Sequence, residues 1–288
     1  MTQVCDTVEP YSPSEIDNFR EVLSMCDVSS TTFYNYFNST TGYYNSGIYC
    51  SSKGLTDEDL LNFKALKEVR YDLRLDRNQF TNLEGLSNLK RVGGQFYLYN
   101  NHLTNVDGLR QLASVSTYFR LDGNQLTNIN GLSALTSVGN YFYLQDNQLS
   151  NVDGLSSLTS VGSHLYLQRN ELTNIDGLSS LVRVGGNLNV ENNQLINMDG
   201  VNNLTTLGGY LAIRTNLELA DISGVSNIVG NDGQVLYISP GQYEVKANEN
   251  LKLCSATWDL KDINGDIDDN MTLVCGEGMV LSEAQQLR

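Results

Sequence analysis

Seven tyrosines fall into three neighbouring columns of a repeating sequence, and their type and spacing suit binding better than bond-breaking. The columns read Asp72, Gln95, Tyr118, Tyr141, His164, Asn187, Tyr210; then Arg74, Tyr97, Arg120, Tyr143, Tyr166, Asn189, Ala212; then Asp76, Tyr99, Asp122, Gln145, Gln168, Glu191, Arg214. A tyrosine offers a flat apolar ring with a polar tip at small entropic cost. With Arg120, Asp122, Gln145, His164 and Gln168 beside them, the rings of Tyr97, Tyr99, Tyr118, Tyr141, Tyr143 and Tyr166 form a candidate face for a glycan or a polypeptide. The competing reading is a ladder of cross-strand rings that only stabilises an exposed sheet. Stacking alone would not require Arg120 to interrupt the second column.

Other candidate chemistries are thinner. His102 and His164 are the two histidines, nearly three repeats apart, and no Ser/His/Asp grouping accompanies them, so a catalytic role is not expected. The Gly-Gly pairs at Gly93 and Gly185 lack the lysine of a phosphate-binding loop. Asp262, Asn264, Asp266 and Asp268 alternate as in part of a calcium loop, but the glycine is displaced and no glutamate closes the loop. A solvated acidic turn is the expectation there, and no metal or cofactor is expected. A column of Glu84, Asp107, Asn130, Asp153, Asp176 and Asp199 precedes recurring glycines. Because Asn130 shares it, the column reads as turn chemistry needing an acceptor, not a carboxylate ladder for cations. Thr81, Thr104, Thr127, Ser150 and Thr173 make a hydroxyl array of the kind an ice-binding surface would use, but Ile196 breaks it.

What must position the tyrosines is a stacked unit. Asn78, Asn101, Asn124, Asn147, Asn170, Asn193 and Asn216 recur at a constant interval of twenty-three, each three positions after an aliphatic anchor, Leu75 through Ile213. A fixed period of this size is the signature of a solenoid, which offers long surface columns. Phe96, Leu98, Phe119, Leu121, Phe142, Leu144, Leu165 and Leu167 alternate inward, so the three columns above point outward. The asparagines are expected to satisfy main-chain groups of their own and neighbouring coils.

The flanks differ from the repeat. Residues 1–51 read as an N-terminal cap, 52–238 as about eight coils, 239–276 as a cysteine-bounded C-terminal cap and 277–288 as a tail. Ser12-Pro13-Ser14-Glu15 is a capping box leading into Ile16, Phe19, Val22 and Leu23 on one helical face. The stretch from Thr31 to Cys50 suggests short strands or a hairpin, with a turn near Gly42. After Asn216 one residue is inserted, and the next strand, at Val235 to Ile238, ends two positions later than the period measured from Ile213 would place it, so the array degenerates.

Composition narrows the partners. A net charge of −15 repels phosphate backbones, which argues against nucleic acid. No apolar run reaches the roughly 20 residues of a membrane span, so membrane insertion is not expected. The start at Met1 lacks signal-peptide features, so the chain reads as cytosolic or as a mature form with its signal removed. The five cysteines favour the second option and an extracellular or cell-surface setting, since Cys5, Cys26 and Cys50 precede the repeats and Cys254 and Cys275 follow them. The expected pairs are Cys254 with Cys275 and Cys5 with Cys26, leaving Cys50 free or matched to something outside this sequence.

The repeated Leu-Thr-Asn-Val-Asp-Gly-Leu, then Leu-Thr-Ser-Val-Gly, then a short strand, resembles the receptor L-domain group of leucine-rich-repeat-like proteins, as does the closing Asn248-Glu249-Asn250-Leu251-Lys252-Leu253-Cys254 with Trp258. The resemblance spans roughly residues 52 to 275. It implies a mainly β, right-handed leucine-rich-repeat-like solenoid and extracellular recognition of a protein or carbohydrate ligand. Six coils depart from that group in lacking an extra residue after the asparagine, which places them nearer ordinary leucine-rich repeats. The expected function is a non-catalytic recognition or adhesion module. The alternatives are a mechanical spacer, an ice-binding surface element, or a carbohydrate-active enzyme.

Overall fold

Capping chemistry starts the chain's first helix where the sequence places it. In the computed structural model, which describes residues 11–219, 221–225, 227 and 228 together with the backbone of five later strands, helix α1 spans Pro13–Met25. Ser12 Oγ accepts from the Glu15 amide, and the Glu15 carboxylate accepts from the Ser12 amide at 2.8 Å. Phe19, Val22 and Leu23 are buried. Phe19 packs edge-on against Phe33, Phe37 and Phe63, with centroids 5.2–5.6 Å apart, which closes one end of the core. Helix α2, Ser30–Tyr36, occupies part of the stretch that reads as strand. The Ser29 hydroxyl accepts from the Thr32 amide, and burial of Phe33 against α1 outweighs the β preference of its neighbours. A hairpin then pairs Phe37–Asn38 with Tyr43–Tyr44, turning through Gly42 at φ +69°. A short helix α3, Asp57–Leu61, begins at Thr56, whose amide donates to Asp59.

From there the chain repeats. Two ladders of mostly two-residue strands run along it, parallel except for the antiparallel Phe37–Asn38 edge: among the described residues, a nine-stranded sheet through Val69, Val92, Val115, Val138, Val161, Val184 and Leu207, and a ten-stranded sheet carrying the tyrosines. Both start inside the segment that reads as the N-terminal cap, since Tyr43–Tyr44 pairs with Glu68–Val69 and Ile48–Tyr49 with Leu73–Arg74. Phe96, Phe119, Phe142 and Leu165 are aligned partners one period apart. The register widens where Leu211 meets Leu236, beyond the position one period on, in keeping with the insertion after Asn216. Between the ladders sit single 3-10 turns such as Asp153–Leu155. The inward side chains are fully buried, and Phe96, Phe119 and Phe142 stack at 5.1 Å.

The asparagine column does what its period implies. Asn101 Nδ2 donates to the carbonyls of Leu98 and Leu75, in its own and the preceding coil, while its Oδ1 accepts from the Asn78 and Phe80 amides. Residues immediately before these asparagines, Arg77, Asn100, Gly123, Asp146, Arg169, Asn192 and Thr215, all take left-handed backbone at φ 51–65°. This is a second column that composition did not reveal, because one of its seven members is glycine.

The disulfide expectation needs correction. Cys26 pairs with Cys50, with Cα atoms 4.7 Å apart, so it does not pair with Cys5, and Cys50 is not the free thiol. Cys26 caps the C-terminus of α1, and α1 lies over the core's end beside the strand that Cys50 follows. Spacing alone could not supply that packing. Cys5, Cys254 and the residues Asp262, Asn264, Asp266 and Asp268 lie outside the described residues, and Cys275 is described as backbone only.

Candidate functional site

In the strands from Leu73–Arg74 to Leu165–Tyr166 the first residue is buried and the second partly exposed, and the parallel register stacks like positions about 4.8 Å apart. The site is therefore a surface. It begins one rung earlier than the sequence columns suggest, at Tyr49.

Arg120 does not interrupt the tyrosine column; it is one of its rungs. Its guanidinium lies 4.0 Å from the ring centre of Tyr99, 5.1 Å from Tyr143 and 5.8 Å from Tyr97. Asp122 grips it from the side with two hydrogen bonds, at 2.9 and 2.6 Å. That grip, together with the Asp122 charge, raises the Arg120 pKa against the opposing effect of burial. Arg74 likewise lies over Tyr49 and Tyr97, at 5.4 and 5.2 Å, and is held by Asp72 and Gln95. Each such cation–ring contact contributes about 0.5–1 kcal/mol at a surface. Burial, more than any neighbouring charge, raises the hydroxyls of Tyr97, Tyr99 and Tyr143, and Tyr143 is pushed up to about 12 with Tyr166 adding to the effect. These three phenols are thus neutral donors and acceptors at physiological pH.

In the two rungs after Arg120 the columns are aromatic or amide-bearing: Tyr141, Tyr143 and Gln145, then His164, Tyr166 and Gln168. Tyr118 and Tyr141 stack at 5.0 Å, Tyr141 and Tyr143 at 5.6 Å, and Tyr143 and Tyr166 meet tilted at 5.3 Å. His164 meets Tyr141 edge-on at 4.6 Å, but its Nδ1 also accepts the Asn187 amide at 2.7 Å. In the same column Asp72 accepts from the Gln95 amide and Asn187 from the Tyr210 amide, so this position secures the next coil. Burial lowers the His164 pKa below 6.5. The native state therefore resists a proton that the unfolded chain takes up near pH 6.5. Stability from this group is complete above that pH and is lost as pH falls through the depressed native value. We expect denaturant midpoints of the wild type to drop as pH falls below about 6.5, the unfolded value, and His164→Asn, which keeps an acceptor, to flatten the drop. An unchanged slope would show that His164 does not carry it.

The third column ends differently. Gln145 and Gln168 have buried Oε1 atoms without a hydrogen-bond partner among the described residues. In the second column, downstream of Tyr166, Asn189 and Ala212 are short and buried, at 7% and 1% exposure, so the outward column expected from alternation does not continue there as an accessible surface. Four guanidiniums beside the face are paired with carboxylates, Arg74 with Asp72, Arg120 with Asp122, Arg169 with Asp146 and Arg214 with Glu191, while Arg77 lies over Tyr99 at 5.3 Å.

The remaining candidates take structural places. In the Asp-Gly turns the acceptor is not the Asp column. Asn105, Asn128, Asn151, Asn174 and Asn197, two residues earlier, accept the amides of Asp107, Asn130, Asp153, Asp176 and Asp199. An Asn-x-Asx-Gly recurrence was the signal for it. Thr127 and Thr173 hydroxyls of the Thr/Ser column donate to carbonyls one coil back. Among the described residues no group of three or more His, Cys, Asp or Glu is placed to hold a metal ion. No described helix is long and apolar enough to cross a membrane.

Comparison with known proteins adds a family match. The model of the BspA type Leucine rich repeat region matches in six copies, over residues 75–195 and 116–232. Of solved structures, the chain is similar to internalin C2 from Listeria monocytogenes, with 20% identity, coverage of 87% of this chain and 92% of that one, and a TM-score of 0.44. It is also similar to a Listeria monocytogenes internalin, inlF, with 15% identity, coverage of 92% and 89%, and a TM-score of 0.35. A leucine-rich-repeat protein of Leptospira interrogans is 15% identical, with coverage of 93% and 88% and a TM-score of 0.38. No curated protein matches the chain.

Proposed function

Because the chain belongs to the BspA-type leucine-rich repeat family, we propose that it is a non-catalytic recognition or adhesion module which binds a polypeptide or a glycan through its tyrosine-bearing sheet. The observation that carries this reading is the cluster of Tyr118, Tyr141, Tyr143 and Tyr166, half-exposed on an open parallel sheet beside the Gln145 and Gln168 amide oxygens, which lack a partner among the described residues. Rigid aromatic groups with a polar tip are what recognition surfaces accumulate. An extracellular or cell-surface setting belongs to the same proposal, supported by the buried Cys26–Cys50 disulfide, which persists in oxidising compartments. Nearer kinship with the receptor L-domain group is proposed on the sequence from Asn248 to Trp258 alone.

The N-terminal part of the face favours a second reading. There Tyr97, Arg120 and Tyr143 satisfy one another, as a stiffened spacer would need. A glycan and peptide array separates the two. We expect the wild type to retain a ligand and the double variant Tyr143→Ala/Tyr166→Ala to lose it at least tenfold while its melting transition moves little. A double variant that still binds as the wild type does would remove the patch from the function.

A further inference from the structure

We propose that Tyr166 is the docking point for a cationic side chain, arginine above all, carried by a basic segment of a partner polypeptide. The proposal rests on the reading of the tyrosine-bearing sheet as a ligand face and names the chemistry it takes.

The chain itself shows how this surface holds a cation. Tyr49, Tyr97, Tyr99 and Tyr143 each have a guanidinium within 5.8 Å of the ring centre, and Arg120 is steadied there by an acceptor, Asp122, in the third column. At Tyr166 the same parts recur without the cation. The ring contacts Tyr143 and His164, and among the described residues no guanidinium or ammonium lies over it. In the column that Asp122 occupies stand Gln145 and Gln168, whose Oε1 atoms lack a donor among the described residues. Each Oε1 is enclosed in the free chain, where leaving it unpaired is costly, so turning the amide outward to meet an arriving donor is favoured. On the side away from Tyr143 the next rungs are the short Asn189 and Ala212, so the run of adjoining rings stops at Tyr166.

Charge selects among occupants. The chain carries −15, and Arg120, Arg169 and Arg214 beside the face are already paired with carboxylates, so its field draws cations and its rings attract them. A saccharide would need a free aromatic face to lie on. Tyr118, Tyr141 and Tyr143 give their faces to one another, with Tyr118–Tyr141 and Tyr141–Tyr143 inclined by only 4° and 5°. A guanidinium needs one ring and one acceptor, and Tyr166 with Gln168 supplies both.

The test uses the whole protein and three blocked peptides of sequence Gly-X-Gly-X-Gly, with X as arginine, lysine or the neutral arginine isostere citrulline, titrated by calorimetry or NMR. The arginine peptide is expected to bind most tightly and the citrulline peptide about fivefold to tenfold more weakly. Tyr166→Leu and Gln145→Leu/Gln168→Leu should each cost the arginine peptide a similar factor. Tyr166→Phe, which keeps the ring, should restore most of it, and Glu171→Gln, an exposed charge elsewhere, should change it less than twofold. Citrulline binding as tightly as arginine, or Tyr166→Leu leaving the arginine peptide unaffected, overturns the proposal. If a neutral array ligand is lost in Tyr143→Ala/Tyr166→Ala while the arginine peptide ignores Tyr166→Leu, the cationic assignment falls and the face keeps its binding role.

Discussion

Asn170→Ala is expected to cost about 3–5 kcal/mol, read as a lower denaturant midpoint at an unchanged slope. Its side chain is 8% exposed and serves two coils. Nδ2 donates to the Leu167 carbonyl at 3.0 Å and the Leu144 carbonyl at 3.1 Å, and Oδ1 accepts from the Leu149 amide at 3.1 Å. Alanine strands all three main-chain groups, and each unpaired buried group costs about 1–3 kcal/mol, reduced where water can enter. Because each coil touches mainly its neighbours, hydrogen exchange should rise first in the two coils that Asn170 ties together. Asn170→Asp should be at least as damaging, since a carboxylate would face two carbonyls. A loss in Asn170→Ala no larger than that of an ordinary surface substitution, about 0.5 kcal/mol, would show that the turn satisfies itself without the amide.

Gly154→Ala should be comparably severe for a different reason. A Cβ built there meets the Ile129 carbonyl oxygen at 1.9 Å and its carbon at 2.4 Å, so the obstacle is the backbone of the preceding coil. No side chain can rotate away, and two coils must separate along both ladders. Overpacking ordinarily costs about 1–3 kcal/mol, and a main-chain obstacle places this variant at or above that upper figure. Gly123 is the internal control. It takes φ +65°, its added Cβ meets the Asn100 side chain, and Asn100 and Asn192 occupy the equivalent position. Gly123→Asn should therefore shift the thermal midpoint little. Equal losses at Gly154 and Gly123 would mean that coil spacing does not select the turn glycine.

These two positions mark what the sequence exposes. The inward columns and the asparagine spine follow from period and polarity, because a repeat multiplies each local preference along the chain. Gly154 is visible as a recurrence, yet its cause is a distance between coils, not a turn angle. Likewise Arg120 stands out as the odd member of a tyrosine column, while its place against Tyr99 and Asp122 depends on side-chain directions that spacing does not encode. The burial of Asn189 and Ala212 and the pairing of Cys26 with Cys50 depend on packing between elements, which residue spacing alone does not report.

The parallel register has an evolutionary consequence. Every interior coil presents the same hydrogen-bonding edge to the coil before and the coil after, so a gene that gains or loses one unit changes the module's length without inventing a new junction. The outward residues enjoy no such equivalence. Duplication therefore copies a scaffold and a fragment of the binding face together, and divergence can then rewrite that fragment while the joint beneath it stays fixed.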